Sequence, residues 1–247
     1  MGILNVTPDS FADGGKHFTF EHAVARGLAM IEEGVDIIDV GGESTRPGAD
    51  RVPIGEEEAR VLPVIRALAG KGVEISIDTM RASTAKLAVE AGASIVNDVS
   101  GGAADPKMFA TVAELGCKYT LMHWRGHSKE MNSRAHYGDV VSDVINEVTI
   151  QLDKALEAGI KRENIILDPG IGFAKDAEHN WEILNRIDEF TALGYPVLIG
   201  HSRKRFIGGD DPAERDSGTV AISQTLVDKG IWAVRVHNVA AHVELVK

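Results

Sequence analysis

Three polar side chains stand where short apolar runs give out: Asp78 after Ile75-Ser76-Ile77, Asn97 after Ile95-Val96, and Asp168 after Ile165-Ile166-Leu167. The last opens the segment Asp168-Pro169-Gly170-Ile171-Gly172-Phe173-Ala174-Lys175. A carboxylate, a Pro-Gly turn, bare backbone at two glycines, an aromatic face and a cation thus fall close together. The combination suits a small planar ligand with polar edges better than a surface turn. A polar group at a buried strand end costs about 1–3 kcal/mol unless it is hydrogen-bonded. A ligand with amino and ring N–H groups would supply the donors. Plainer readings stand beside this one: Asp168 as a turn acid, Asp78 as a cap for the next helix, Ser202-Arg203-Lys204-Arg205 as a solvated helix start. His123, at another strand end, suits an internal hydrogen bond as well as a substrate. The position shared by Asp78, Asn97 and Asp168 favours the ligand.

The elements that must hold these residues alternate along the whole chain. Apolar strands are predicted at Gly2–Val6, Val35–Val40, Val73–Ile77, Ser94–Val96, Tyr119–Met122, Ile165–Leu167, Val197–Gly200 and Ala233–Val236. Helices are predicted over about Glu21–Glu33, Glu56–Ala69, Ser83–Ala91, Pro106–Leu115, Val140–Ala158, Ala177–Leu193 and Gly218–Asp228. Strands that are apolar on both faces belong to parallel sheets covered by helices. The number of strand–helix units matches a (β/α)8 TIM barrel, read here as one domain over residues 1–247. A doubly wound open sheet would carry a glycine-rich fingerprint after its first strand, and Asn5–Phe11 has none. In such a barrel the carboxyl ends of the strands converge on one face, and chemistry sits there.

Composition narrows the partners. The 247 residues carry a formal net charge of −11 and no block of Lys or Arg, which argues against nucleic acid. A single cysteine, Cys117, excludes an intrachain disulfide and reads as a packing residue. No run approaches the ~18 apolar residues of a membrane span, and no basic-then-apolar leader opens the sequence. The expected compartment is the cytoplasm. The histidines form no spaced metal set, and Trp181 and Trp232 read as packing residues.

Several segments, in order, resemble dihydropteroate synthases. They are Asn5-Val6-Thr7-Pro8-Asp9-Ser10-Phe11, Gly41-Gly42-Glu43-Ser44-Thr45-Arg46-Pro47-Gly48, Ile77-Asp78-Thr79, Asn97-Asp98-Val99-Ser100-Gly101-Gly102, Asp168-Pro169-Gly170-Ile171-Gly172-Phe173, Ser202-Arg203-Lys204 and Arg235-Val236-His237. So many motifs in one order are specific where one alone would be weak. The resemblance implies condensation of 6-hydroxymethyl-7,8-dihydropterin pyrophosphate with 4-aminobenzoate, assisted by Mg2+, in a homodimer. It implies that Asp78, Asn97, Asp168 and Lys204 hold the pterin, and that Asn5, Arg235 and His237 hold the pyrophosphate, with Asn5 also on the metal. By the same resemblance Phe11, Thr45, Pro47, Phe173 and Ser202 form the aminobenzoate pocket where sulfonamides compete, and loops bearing Asp13 and Arg46 close over it.

The chain departs from the family at Asn238, where the family has Asp, and in its short ends. Two other functions stay open at this stage. One is a pterin domain that passes a methyl group from a folate to a corrinoid, which would not need both Ser202-Arg203-Lys204 and Arg235-Val236-His237. The other is a pterin-binding paralogue without turnover.

Overall fold

The computed structural model describes residues 1–7, 16–44, 51–127 and 130–246. Strands β1 (Gly2–Asn5), β2 (Ile37–Gly41), β3 (Glu74–Asp78), β4 (Ile95–Asp98), β5 (Lys118–Met122) and β6 (Ile165–Asp168) make one parallel sheet in chain order. Strands β7 (Leu198–Ile199) and β8 (Ala233–Val234) pair with each other. Parallel bridges at Leu167–Val197 and Gly2–Val236 join that pair to β6 and β1. The sheet closes on itself as a (β/α)8 barrel.

Around it lie α1 (Lys16–Glu32), α2 (Ile54–Leu68), α3 (Ala82–Glu90), α4 (Met108–Leu115), α5 (Val140–Glu157), α6 (Ala177–Asn185), α7 (Asp188–Thr191), α8 (Asp216–Val227) and α9 (Ala240–Val246). Two extents differ from the sequence expectation. Helix α1 starts at Lys16, not near Glu21. The helix expected over 177–193 breaks into α6 and α7, and Arg186, at the break, binds Glu182, Glu189 and Asp139. Side-chain caps fix other starts: Asp139 accepts from Ser142 N at 2.8 Å before α5, and Asp176 accepts from His179 N at 2.9 Å before α6. Each satisfies a backbone donor that the first helical turn leaves free.

The strand period of two sorts the barrel residues. One set, with Ile38, Val40, Ile75, Ile77, Val96, Leu121 and Leu167, packs into the main core beneath the helices. The other set points inward and is layered. Met1, Ile37, Ile95, Ile166 and Leu198 form an apolar floor, against which Trp232 packs. Above it come the buried polar side chains Asp39, Ser76 and Thr120, then the strand ends. Register keeps those ends level: Asn5 pairs with Gly41, Gly41 with Asp78, and Asp78 with Asn97. Across β5, Met122 pairs with Asp168. The expected site residues therefore line one mouth. Among the described residues no helix is long and apolar enough to cross a membrane.

Candidate active site

At the mouth, Asp78, Asn97 and Asp168 are 8 %, 2 % and 5 % exposed. Asp78 does not cap the helix after it: Arg81 stands just before α3, and the first helical N–H, that of Ala82, goes to Asp105 Oδ2 at 2.9 Å. The Asp78 Oδ2 instead accepts from Arg235 Nη2 at 2.8 Å. Arg235 also donates from Nε to Asp39 Oδ2 at 2.6 Å, and Asn97 donates from Nδ2 to that same oxygen at 2.9 Å. Burial pushes the Asp78 carboxyl up to about 7, with Arg235 pulling it down and Asp39, Glu57 and Asp98 pushing further up. Arg235, which the resemblance assigns to pyrophosphate, is thus already clamped to two acids inside the barrel. Asp39 was hidden from the sequence reading within a strand taken as apolar wall.

Asp168 combines both of its sequence readings. Its Oδ1 accepts from Gly170 N at 2.7 Å, as a turn acid does. Among the described residues Oδ2 takes no hydrogen bond, and it lies 4.0 Å from where a Cβ on Gly200 would stand. Burial raises the Asp168 carboxyl, against Gly170 N–H and the Lys204, Lys175 and Arg235 charges. The glycines of this segment serve the protein more than a ligand. Gly170 has φ +69, and a Cβ there would stand 2.6 Å from the His123 carbonyl oxygen; Gly172 has φ +78, with Lys204 Cδ 2.7 Å from its Cβ position. Gly170→Ala is therefore expected to cost about 2 kcal/mol or more, and a lowered thermal midpoint in calorimetry checks it.

Lys204 donates to the Ile171 carbonyl and lies 4.6 Å from the Phe173 ring centroid. Burial draws its ammonium down to about 8. The preceding turn is held tightly. Arg203 adopts φ +57, a conformation uncommon outside glycine, and binds Asp216 through Nε at 2.6 Å and Nη2 at 2.8 Å. Arg205 is exposed, as a solvated charge should be. Ser202 Oγ lies 2.9 Å from His237 Nδ1 and accepts from His237 N at 3.2 Å. Phe173 is half-buried and borders a cavity of about 20 Å³ with Met80, Val99, Trp124 and Met131. Asn5, half-buried, puts Oδ1 beside Gly41 and Asp78. Phe11, Asp13, Thr45, Arg46 and Pro47 lie outside the described residues.

Asn238 has a local reason. Its Nδ2 donates to Asp216 Oδ2 at 3.4 Å, and its Oδ1 accepts from Ala241 N at 3.3 Å at the start of α9. A carboxylate there would face Asp216, which already supplies a negative charge near His237.

Behind the mouth lies a second polar chain. Lys175 is 7 % exposed, and its Nζ contacts His123 Nδ1 at 2.9 Å, Gly170 O at 3.1 Å and Phe173 O at 3.1 Å. The ammonium so staples the turn that carries Gly170 and Phe173. His123 Nε2 meets Glu147 Oε2 at 3.0 Å, which resolves His123 as an internal residue. Burial, helped by the Lys175 charge, draws the His123 imidazole down to about 3. A base whose folded pKa is depressed gives stability that is full above about 6.5 and lost as pH falls toward 3. Nuclear magnetic resonance is expected to show His123 neutral from pH 8 down to 5. The Asp98 carboxylate is likewise structural: it accepts from Tyr119 OH, Ser100 N, Ser100 Oγ and Gly102 N. Trp181 packs edge-on to Phe206 but stays 41 % exposed. Cys117 is half-buried against the main core.

A closed barrel with acidic acceptors, an amide and cations at its mouth is a receptor for a small heterocycle, and residues 1–237 match the family of pterin binding enzymes. A dihydropteroate synthase from Mycobacterium leprae is 48 % identical over 257 residues, covering 100 % of this chain and 90 % of that protein. The structure of a Xanthomonas albilineans dihydropteroate synthase with 4-aminobenzoic acid superposes with a TM-score of 0.94 at 43 % identity, covering 100 % of this chain and 89 % of that one. A second structure from that organism, in complex with 7,8-dihydropteroate, gives a TM-score of 0.90 at 40 % identity, covering 100 % and 90 %. The chain belongs to the dihydropteroate synthases.

Proposed function

We propose that this chain condenses 6-hydroxymethyl-7,8-dihydropterin pyrophosphate with 4-aminobenzoate, giving 7,8-dihydropteroate and pyrophosphate for folate biosynthesis. One arrangement carries the reading: the acceptors of Asp78, Asn97 and Asp168 share a mouth with the Lys204 ammonium. The 2-amino and ring N–H groups of a pterin match the acceptors, and its 4-oxo group matches the cation. The ligands named for the two Xanthomonas structures are a substrate and the product of this reaction.

In this reading Phe173 and Ser202 border the arylamine, and the resemblance assigns Phe11, Asp13, Thr45, Arg46 and Pro47 to the same substrate. Sulfonamides, which share the aniline ring of 4-aminobenzoate, compete there. Asn5, Arg235 and His237 take the pyrophosphate. The donor set fits Mg2+: Asn5 offers one amide oxygen, and among the described residues no three His, Cys, Asp or Glu gather as a metal cage. Mg2+ commonly binds through one or two protein oxygens together with substrate phosphates and water; it would neutralise charge on the leaving group.

The chemistry asks the protein for no nucleophile. As the C–O bond to pyrophosphate breaks, positive charge grows on the pterin, and the Asp78 and Asp168 carboxylates would lower its energy. The amine of 4-aminobenzoate, held beside Phe173, then attacks the exposed methylene carbon, and as the C–N bond forms its proton passes to the released pyrophosphate or to water. Incubation with both substrates and Mg2+ should yield dihydropteroate and pyrophosphate in equal amounts by chromatography. Pterin bound without product would instead support the non-catalytic paralogue. A homodimer in the cytoplasm is proposed by family resemblance, and sedimentation tests the dimer.

A further inference from the structure

We propose that Asp39 is the residue that sets ligand specificity at this mouth, by fixing which end of the Asn97 amide faces the ligand. The proposal deepens the pterin reading and rests on it. An asparagine side chain is ambivalent: turned one way it presents an acceptor, turned the other a donor. Asp39 removes the choice. Its Oδ2 faces the Arg235 guanidinium at 2.6 Å, so that oxygen is an acceptor, and the group that Asn97 presents to it at 2.9 Å must be the NH2. The amide oxygen of Asn97 and the second N–H of its NH2 then remain for a ligand, each at a fixed position.

With Asp78 on the neighbouring strand and Asp168 across the mouth, the ligand meets acceptors from three strand ends. A heterocycle with N–H groups along one edge satisfies them. One with an oxo group in place of the amino group sets oxygen against oxygen. Pairing with the buried Arg235 guanidinium accounts for only one oxygen of an acid at this position. Asp39 is fully buried, and its Oδ1 has no hydrogen-bond partner among the described residues. A buried carboxylate left partly unsatisfied is costly to the fold. Its one satisfied oxygen is the one that binds both Asn97 and Arg235.

The test is equilibrium binding of 2-amino-4-oxopteridine and 2,4-dioxopteridine, measured by calorimetry on the wild type, Asp39→Ala and Asp39→Asn. The wild type should prefer the amino compound. Asp39→Ala frees the amide to turn, and the preference should narrow about tenfold or more. Asp39→Asn keeps an acceptor oxygen and should hold the ratio within about threefold, even where both affinities fall. An unchanged ratio in Asp39→Ala, or a ratio in Asp39→Asn narrowed as far as in Asp39→Ala, overturns the proposal. A second readout uses only the wild type and stands even where the alanine variant does not fold. The Asn97 side-chain NH2 should exchange slowly with water and keep its resonance when pteridine is added; fast exchange overturns the proposal. A wild type that binds neither heterocycle overturns the pterin reading itself, an outcome distinct from bound pteridine with an unmoved ratio.

Discussion

Asp78→Ala is expected to lower kcat/KM for the pterin pyrophosphate about a thousandfold, while KM for 4-aminobenzoate moves less than about threefold. The size follows from what the carboxylate does. It is buried at the end of β3, flanked in register by Gly41 and Asn97, and reached by Arg235 at 2.8 Å. Hydrogen bonds to a charged group are worth about 1.5–3 kcal/mol each. If the proposed pterin complex makes two such bonds to Asp78, their loss comes to about 4 kcal/mol, or a factor of about a thousand. The same residue sets a pH dependence. Burial places the Asp78 carboxyl at about 7, so kcat/KM should rise with pH through that value as the acid ionises. The rise should be missing from whatever activity Asp78→Ala keeps.

Arg235→Met is expected to destabilise the fold by about 3–5 kcal/mol, because it strands two carboxylates in the barrel. Among the described residues Asp39 would keep only the Asn97 amide on Oδ2, and Asp78 would lose its one ionic partner. In a chain of this length the loss lowers the thermal midpoint by on the order of 10 °C. Arg235→Lys should recover little of it, because a single ammonium cannot fork between the two acids. The loss should shrink as pH falls, since burial raises the Asp78 carboxyl and its protonation relieves one unpaired charge. Calorimetry at pH 6 and pH 8 checks both the size and the sign.

The strands were legible because helices cover the barrel wall, so each strand reads as an apolar run ended by a turn. The strand-end residues were legible for the same reason: Asp78, Asn97 and Asp168 interrupt those runs at matched positions. Asp39 was not legible. It lies inside a run and points into the barrel, where the period of two carries it away from the wall. Only closure of the sheet brings it to Arg235, 196 residues away in sequence. The two-residue strands β7 and β8 were expected longer, because the sequence marks apolar character and says nothing of where pairing stops. Gly170 and Gly172 were read as room for a ligand, yet the groups that approach them are the His123 carbonyl and the Lys204 side chain. Close packing of a turn and close approach of a ligand demand the same residue. Lys175 could be noticed as a cation, but its task as a staple depends on carbonyls that converge only in the folded turn.

In the proposed reaction pyrophosphate leaves by C–O cleavage before the amine attacks, with charge balanced by the mouth residues and no protein nucleophile. This order is tested most directly with substrate carrying 18O at the oxygen that bridges the pterin methylene and phosphorus. The protein is incubated with this substrate and Mg2+, 4-aminobenzoate is withheld, and the recovered substrate is read by 31P resonance. The expected result is label spread from the bridging to the non-bridging positions, because pyrophosphate that departs and turns in the site rebinds through any of its oxygens. Label that stays in the bridge, in protein that makes dihydropteroate once 4-aminobenzoate is added, would contradict departure before attack.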